Sequence, residues 1–312
     1  MQRVVLATDD SESALRAARL LGRLFDVSTL EITLVSVVNW ETPSASLDST
    51  CEIARLVDQS RANAMTALEH VRFTLGLPKE ALQHVIGDGH VGEFITTTAR
   101  ELTADLIVVG DRRHSSVGRV LLGSTSDYVA THASCSVLVV RNDVADRMPG
   151  SLRMCVPVDP EAAPEQIRTM VDWFSMTDAA HIDVASVLVP PMAQSPEVPS
   201  YWAHDEQAAQ KTLDQVRRDC ESHGIEAADH LINAASVSNG LIKHFSECAI
   251  DLALMNETNR TPIGRFLLGS VSRSVLRYAK CSVLIRRRTE QDEPNANKAF
   301  AVPHDERDGA MT

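Results

Sequence analysis

The chain has 312 residues, of which 44% are hydrophobic, and a formal net charge of −12. This length favours two domains, and the hydrophobic content is enough for packed cores, which excludes a disordered chain. The acidic charge excludes a nucleic-acid groove, since such grooves need clustered Lys and Arg. No apolar run reaches membrane-spanning length, the N-terminus lacks a signal-peptide layout, and six cysteines occur without a CxxC pair. We therefore expect a cytoplasmic protein with reduced thiols and no membrane association.

Strand-like and helix-like segments alternate through the first half of the chain. The predicted strands are, in order, RVVLATDD, LEITLVSVV, ALQHVIGDG, DLIVVG and CSVLVVR. The predicted helices between them are SESALRAARLLGRLF, SRANAMTALEHVRFTLG, VGEFITTTARELT and TSDYVATHAS, the second beginning at Ser60. Short apolar strands separated by helices are typical of parallel strands buried on both faces.

The second half repeats this order. Its predicted strands are SLRMCVPVD, AHIDVASVLVP, AADHLINAAS, DLALMN and CSVLIRR, and its helices are PEQIRTMVDWFSM, EQAAQKTLDQVRRDCESHG, SNGLIKHFSECA and SRSVLRYA. Residues 104–141 align with 250–287 without a gap, and sixteen of the 38 aligned positions are identical. The repeated unit is as long as a whole domain, so the sequence indicates a tandem duplication.

The alternating pattern predicts an α/β fold in which each half forms a doubly wound parallel sheet with helices on both faces. We expect domains at 1–142 and 151–288, followed by an acidic, flexible tail at 289–312. Two Pro/Ser-rich segments, 40–52 and 189–205, follow the second strand of each half and are expected to be loops beside a binding cleft. Ligands in such sheets bind beyond the carboxyl ends of the strands.

The stretch GDRRHSSVGRVLLGSTS, from Gly110 to Ser126, lies between the fourth strand and the fourth helix of the first half. Gly110 ends the strand, where a side chain would block a ligand. The helix that begins near Gly123 offers free backbone amides, and the hydroxyls of Ser124, Thr125 and Ser126 lie beside them, a combination that suits an anion. Positive charge comes from Arg112, Arg113 and Arg119. Asp9, at the end of the first strand, suits a ribose hydroxyl or an adenine amine.

At these residues the chain resembles the universal stress protein family, over both halves. Nucleotide-binding members of that family carry G-x2-G-x9-G-(S/T), and this chain reads Gly110-x2-Arg113-x9-Gly123-Ser124, with an arginine in place of the middle glycine. The resemblance implies five-stranded sheets of order 3-2-1-4-5, binding of ATP or AMP in some members, and dimerisation through strand five. It also implies that the strand-one acid is Asp9 and that the adenine contact falls at Val37.

The second half departs from this motif. Asp159 replaces Asp9, and Asn256 and Asn259 replace Gly110 and Arg113, while Gly269 and Ser270 remain. An asparagine side chain fills space that a phosphate or ribose would use. The sequence therefore favours a nucleotide site in the first half and a degenerate one in the second.

Three functions remain open on the sequence alone. The first is a stress-response or signalling module that binds ATP or AMP, with Mg²⁺ as the companion of ATP. The second is an interaction scaffold with degenerate sites, in which the two halves form an intramolecular pseudo-dimer. The third is an enzyme acting on a phosphorylated small molecule. We assign no catalytic residues and no metal ligands, because no positioned nucleophile or base and no metal-ligand spacing is evident, and any ATP hydrolysis should be slow. The sequence identifies neither a signalling partner nor a further homodimer.

Overall fold

The computed structural model describes residues 2–38, 50–78, 83–111, 122–141, 152–159, 179–190, 198–222, 225–257 and 268–287. In the first half the strands are β1 (Gln2–Ala7), β2 (Leu30–Val38), β3 (Gln83–Asp88), β4 (Leu106–Gly110) and β5 (Ser136–Val140). The helices are α1 (Glu12–Leu24), α2 (Thr50–Thr74), α3 (Val91–Glu101) and α4 (Ser124–His132).

The described elements of the second half follow the same order. The strands are β6 (Leu152–Pro157), β7 (Ala179–Leu188), β8 (Ala227–Asn233), β9 (Leu252–Asn256) and β10 (Ser282–Arg286). The helices are α5 (Val198–Ser222), α6 (Val237–Glu247) and α7 (Ser270–Tyr278). The predicted helix PEQIRTMVDWFSM lies outside the described residues, as do the tail at 289–312 and residues 40–49 and 191–197 of the two predicted loops.

All ten strands belong to one sheet, in the order β3-β2-β1-β4-β5-β10-β9-β6-β7-β8. Each half is a parallel sheet of order 3-2-1-4-5, which confirms the predicted doubly wound fold. The two halves meet at β5 and β10, which pair antiparallel, with Leu138 opposite Leu284. The two predicted sheets are therefore the halves of one continuous sheet.

The strands pack between helices on both faces, as their uninterrupted apolar runs require. All five residues of β5 and of β10 are buried. Helix α1 begins at the N-cap Ser11, whose hydroxyl accepts a hydrogen bond from the Ala14 amide, and it buries an apolar face that includes Leu20 and Leu21. Burial of each leucine stabilises the fold by about 1.5–3 kcal/mol. Cys135 and Cys281, at equivalent positions of the two halves, are also buried, and burial raises the pKa of each thiol to about 12.

Two buried arginines join the halves reciprocally. Arg141 follows β5 and donates to the carbonyl oxygens of Leu276 and Ala279 (2.8 Å for Ala279) at the end of α7. Arg287 follows β10 and donates to the carbonyl oxygens of Ala130 (2.7 Å) and Cys135 (3.1 Å), at and just beyond the end of α4. Carbonyls at a helix C-terminus lack intrahelical donors and favour a cation. Each half therefore caps a helix of the other.

The second helix of each half begins earlier than the sequence predicted. Helix α2 begins at Thr50 and not at Ser60, and α5 begins at Val198, inside the segment predicted as a loop. Proline is compatible with the first turn of a helix, where its missing amide would have no acceptor. Pro199 is therefore compatible with the first turn of α5. The Pro/Ser-rich sequence around it is typical of loops, and for this reason the helix start was not predicted.

Within the described residues, no helix is both long enough and apolar enough to cross a membrane.

Candidate functional site

A cleft of about 360 Å³ opens at the carboxyl ends of β1, β2 and β4. The chain turns to opposite sides of the sheet after β1 and β4, so this is the point where a doubly wound sheet offers a crevice. The residues that line the cleft come from these strands, from α1 and α3 and from the start of α4: Ala7, Thr8, Asp9, Ser13, Ala14, Val35, Val37, Val91, Ile95, Val109, Gly110, Gly123, Ser124, Thr125 and Ser126.

The lining is divided by chemistry. Val35 and Val37 from β2 and Val91 and Ile95 from α3 form an apolar wall. The start of α4 and the end of β1 supply hydroxyl, carboxylate and backbone amide groups. A cleft with one apolar wall and a few convergent polar groups is typical of small-molecule sites.

The N-terminus of α4 has no side-chain cap. Gly123 is the N-cap residue and, having no side chain, makes no cap hydrogen bond to the amides of the first turn. These amides have no acceptor within the helix, and the helix dipole makes this end positive. The buried Ser126 hydroxyl is bonded to the Gly110 carbonyl (3.4 Å), whereas Ser124 is exposed. The turn therefore presents amides and a serine hydroxyl to the cleft.

Asp111 fixes the position of this turn. One of its carboxylate oxygens accepts a hydrogen bond from the Gly123 amide (2.9 Å), and the other accepts one from Arg141 Nε (3.0 Å). Both members of the ion pair are buried, with 0% and 1% of their side chains exposed. Since Arg141 also caps α7, the turn is tied through two side chains to the junction between the halves.

Gly110 is required by the close approach of α1. A Cβ atom at this position would lie 2.2 Å from the Ser13 carbonyl oxygen. The sequence analysis attributed this glycine to the approach of a ligand. The structure corrects that reason: the backbone of α1 already excludes a side chain at Gly110.

Two polar side chains at the end of β1, those of Thr8 and Asp9, differ in their burial at the cleft. The Thr8 hydroxyl is buried and has no hydrogen-bond partner among the described residues. Asp9 is exposed, and its Oδ1 accepts a hydrogen bond from the Ser11 amide (3.1 Å). A buried hydroxyl without a partner costs free energy unless a ligand or water satisfies it.

The structure brings seven of the nine predicted first-half residues to this cleft. They are Asp9, Val37, Gly110, Gly123, Ser124, Thr125 and Ser126. Arg112 and Arg113 lie outside the described residues, and so does Arg119. Sequence reasoning missed Thr8, Ser13 and Asp111. The acid after the fourth strand is repeated in the second half as Glu257, a signal that could have identified Asp111.

The second half retains part of this arrangement. Asp159 follows β6 as Asp9 follows β1, Asn256 ends β9, and Gly269 is the N-cap of α7, directly before Ser270. Asn259 lies outside the described residues. Glu257 pairs with Arg287 (2.9 Å), but its Oε1 has no hydrogen-bond partner in the described part of the chain. Burial, only partly offset by Arg287, raises the pKa of Glu257. The carboxylate that fixes the α4 turn thus has no equivalent contact at α7.

Comparison with known proteins agrees with the repeat and the fold. The model of the universal stress protein family matches residues 1–141 and 151–287. A universal stress protein of Mycolicibacterium smegmatis is 22% identical over 293 residues, covering 89% of this chain and 93% of that protein. The universal stress protein Sll1388 of Synechocystis is 43% identical over 54 residues, which are 17% of this chain and only 35% of that protein.

Among solved structures, a universal stress protein from Archaeoglobus fulgidus covers 92% of this chain and 98% of its own, with a TM-score of 0.61 at 18% identity. This likeness concerns the fold. The family model matches both halves at the positions of the internal repeat, and so the chain belongs to the universal stress protein family as a tandem member.

Proposed function

We propose that the first half binds ATP or AMP in the cleft between β1, β2 and α4, and that the protein acts as a stress-response or signalling module. The proposal rests on one observation: the same cleft contains an apolar wall and a helix N-terminus whose N-cap residue makes no side-chain cap hydrogen bond. An adenine nucleotide is complementary to this cleft, because it has a flat base that suits the apolar wall and an anionic phosphate chain that suits the helix N-terminus.

The residues of the cleft fit these parts one by one. Val37 and Ile95 offer the apolar surface for the base, and the amides of α4 with Ser124 offer an anion site for phosphate. Asp9 suits a ribose hydroxyl or the adenine amine, and Thr8 supplies a buried hydroxyl that lacks a partner. The volume of about 360 Å³ lies within the range of small-ligand sites, about 300–1,000 Å³.

A single substitution at the start of α4 tests the proposal. In Ser124→Asp, a carboxylate replaces the exposed hydroxyl in the first turn, where an acid stabilises a helix but repels phosphate. Calorimetric titration of the full chain with ATP and with AMP should show binding to the wild type. We expect the affinity of the variant for both nucleotides to be at least about tenfold lower, a difference of about 1.4 kcal/mol.

Ser270→Asp is the matched control, since Ser270 opens α7 as Ser124 opens α4. This variant should bind nucleotide like the wild type. Absence of binding by the wild type at millimolar ATP or AMP would contradict the proposal. Equal losses in the two variants would contradict the assignment to the first half.

We further propose a structural role for the second half. The antiparallel β5–β10 pair and the reciprocal arginine caps support an intramolecular pseudo-dimer of domains at 1–142 and 151–288. In this view the second half covers the β5 edge and presents surface to a partner, as the scaffold hypothesis requires. We place the protein in the cytoplasm, because its described cysteines are free and four of the five are buried.

Hydrolysis is not part of the proposed activity. Among the described residues that line the cleft, Asp9 is the one carboxylate, and Mg²⁺ would enter only with ATP. If the protein turns over ATP at all, the rate should be slow, because the described residues of the cleft include no histidine or glutamate that could serve as a general base.

A further inference from the structure

A buried carboxylate in the second half lies among several ligand-type side chains, away from the cleft. Asp183 belongs to β7, and none of its side-chain surface is exposed. His244 lies on the inner face of α6, with 8% of its side chain exposed. Cys248 directly follows α6, and His230 belongs to β8.

The distances are short enough for a shared ligand. His244 Nε2 lies 3.4 Å from Asp183 Oδ2, and His230 Nε2 lies 3.6 Å from Asp183 Oδ1. Ligand atoms of Asp183, His244 and Cys248 all lie within 4.8 Å of one another. Neighbouring ligand atoms around tetrahedral zinc are separated by roughly 3.5 Å, given bond lengths of about 2.0–2.3 Å.

One described hydrogen bond lies within this cluster, between Cys248 Sγ and His244 Nδ1 (3.6 Å). Both carboxylate oxygens of Asp183 and the Nε2 atoms of His230 and His244 are buried without a hydrogen-bond partner among the described residues. His181 Nε2 (3.0 Å) and Arg153 (3.7 Å) approach Asp183 Oδ1 as ion-pair partners. Buried polar atoms without hydrogen bonds call for another partner, such as an ion or a water molecule.

The first half shows that the fold does not require these residues. The strand registers pair Val4 with Ile32 and Met154 with Ile182, so Asp183 corresponds to Thr33. By the β2–β3 and β7–β8 registers, His230 corresponds to Val85. The equal lengths of α3 and α6 make His244 and Cys248 equivalent to Thr98 and Leu102. One copy of the fold thus packs this place with threonine and aliphatic side chains, and the other with three ligand types.

We propose that Asp183, His244 and Cys248, with His230 beside Asp183, form a binding site for a transition-metal cation of the Zn²⁺ class. Carboxylate, imidazole and thiolate together match zinc, whose usual ligands are Cys, His and Asp or Glu, whereas Mg²⁺ and Ca²⁺ prefer oxygen ligands. When the metal binds, the Cys248 thiol loses its proton to solvent and the thiolate becomes a ligand. The ion would join β7, β8 and α6, and this site does not depend on nucleotide binding in the first half.

Metal analysis of the untagged full-length protein tests the site. The chain is stripped with a chelator, dialysed against micromolar Zn²⁺ and analysed for bound metal, and a second sample is loaded with Co²⁺. We expect one zinc per chain and, for cobalt, the visible bands of a tetrahedral site with a thiolate-to-metal charge-transfer band. Cys248→Ser should abolish the charge-transfer band, and His244→Gln should lower zinc affinity by at least about tenfold.

The control is His84→Gln, which removes an exposed histidine on β3 of the first half and should leave metal binding unchanged. Circular dichroism confirms that each variant is folded, and Zn²⁺ should protect Cys248 of the wild type from alkylation. The proposal is overturned if the wild type retains no zinc, which would leave Asp183 as a carboxylate paired only with histidines and Arg153. It is equally overturned if Cys248→Ser and His244→Gln bind zinc as tightly as the wild type.

Discussion

At the scale of single residues, one glycine shows how packing and ligand binding compete as explanations. Gly110 lines the cleft, and it also lies against the first turn of α1, where a Cβ atom would meet the Ser13 carbonyl oxygen at 2.2 Å. A real Cβ cannot approach backbone so closely, so either β4 or α1 would have to move. In the first half this glycine is therefore required by the packing of α1 before any ligand is considered.

Gly110→Ala should destabilise the protein by about 1–3 kcal/mol, the usual cost of overpacking. Gly269→Ala is the control, because an added Cβ there would meet no atom within 4 Å and the backbone φ of −58° suits alanine. The urea midpoint of unfolding measures both. If the two variants unfold at the same urea concentration as the wild type, the close approach of α1 is not a constraint.

Residue identity alone predicted part of the site and missed part of it. Asp9 and the Gly123–Ser126 turn could be located because strand ends and helix starts are local features of the sequence. Thr8 could not, since its importance depends on where the cleft lies in space. The repeated acid at Asp111 and Glu257 is visible in the sequence, but the contact of Asp111 with the Gly123 amide is not. The cluster around Asp183 escaped for the same reason: its members lie on β7, β8 and α6, with no spacing that marks a metal site.

At the scale of elements, the alternation of apolar strands and amphipathic helices was sufficient to predict the sheet. Strands such as β4 and β5 are short, almost entirely apolar and buried on both faces, and this pattern has few alternatives in a parallel sheet. The predicted starts of α2 and α5 were wrong, because the residue types that form turns are also common in the first turn of a helix. The joining of the two sheets could not be derived from periodicity, which contains no information about which edges pair.

The arginine that follows the fifth strand of each half stabilises the junction between the halves. Arg141→Met removes the partner of buried Asp111 and uncaps α7, so we expect a loss of about 3–5 kcal/mol in the free energy of unfolding. Lys243→Met, which breaks an exposed pair with Glu247, should cost only about 0.3–0.5 kcal/mol. Denaturant unfolding measures the free energy of unfolding of Arg141→Met and of Lys243→Met against that of the wild type. A loss below about 1 kcal/mol for Arg141→Met would show that the buried pair does not stabilise the junction.

At the scale of the whole molecule, the two repeated halves share an interface within one chain. The β5–β10 pairing, the serine contacts and the two arginine caps are nearly symmetric, with Ser282 accepting from the Arg141 amide and Ser136 from the Arg287 amide, each at 3.1 Å. The proposed ligand sites are not symmetric. Both α4 and α7 begin at a glycine N-cap without a side-chain cap, but the described contacts include a fixing carboxylate, Asp111, at α4 alone, and the described buried cluster around Asp183 lies in the second half.

Because the junction is built from noncovalent contacts on both sides, the halves should stay together without their linker. We expect a chain with a protease site inserted between 142 and 150 to elute after cleavage as one particle in gel filtration. The same chain carrying Arg141→Met and Arg287→Met should separate more readily. Separation of the cleaved wild type into two halves would contradict the continuous sheet.

If one half of this tandem protein binds an adenine nucleotide and the other does not, a crystal structure of the full chain grown with ATP or AMP should show the difference. We expect electron density for the base beside Val37 and Ile95 and for phosphate at the amides of Ser124–Ser126, with no nucleotide at Gly269. Nucleotide found only in the second half, or in neither half at saturating concentration, would contradict this expectation.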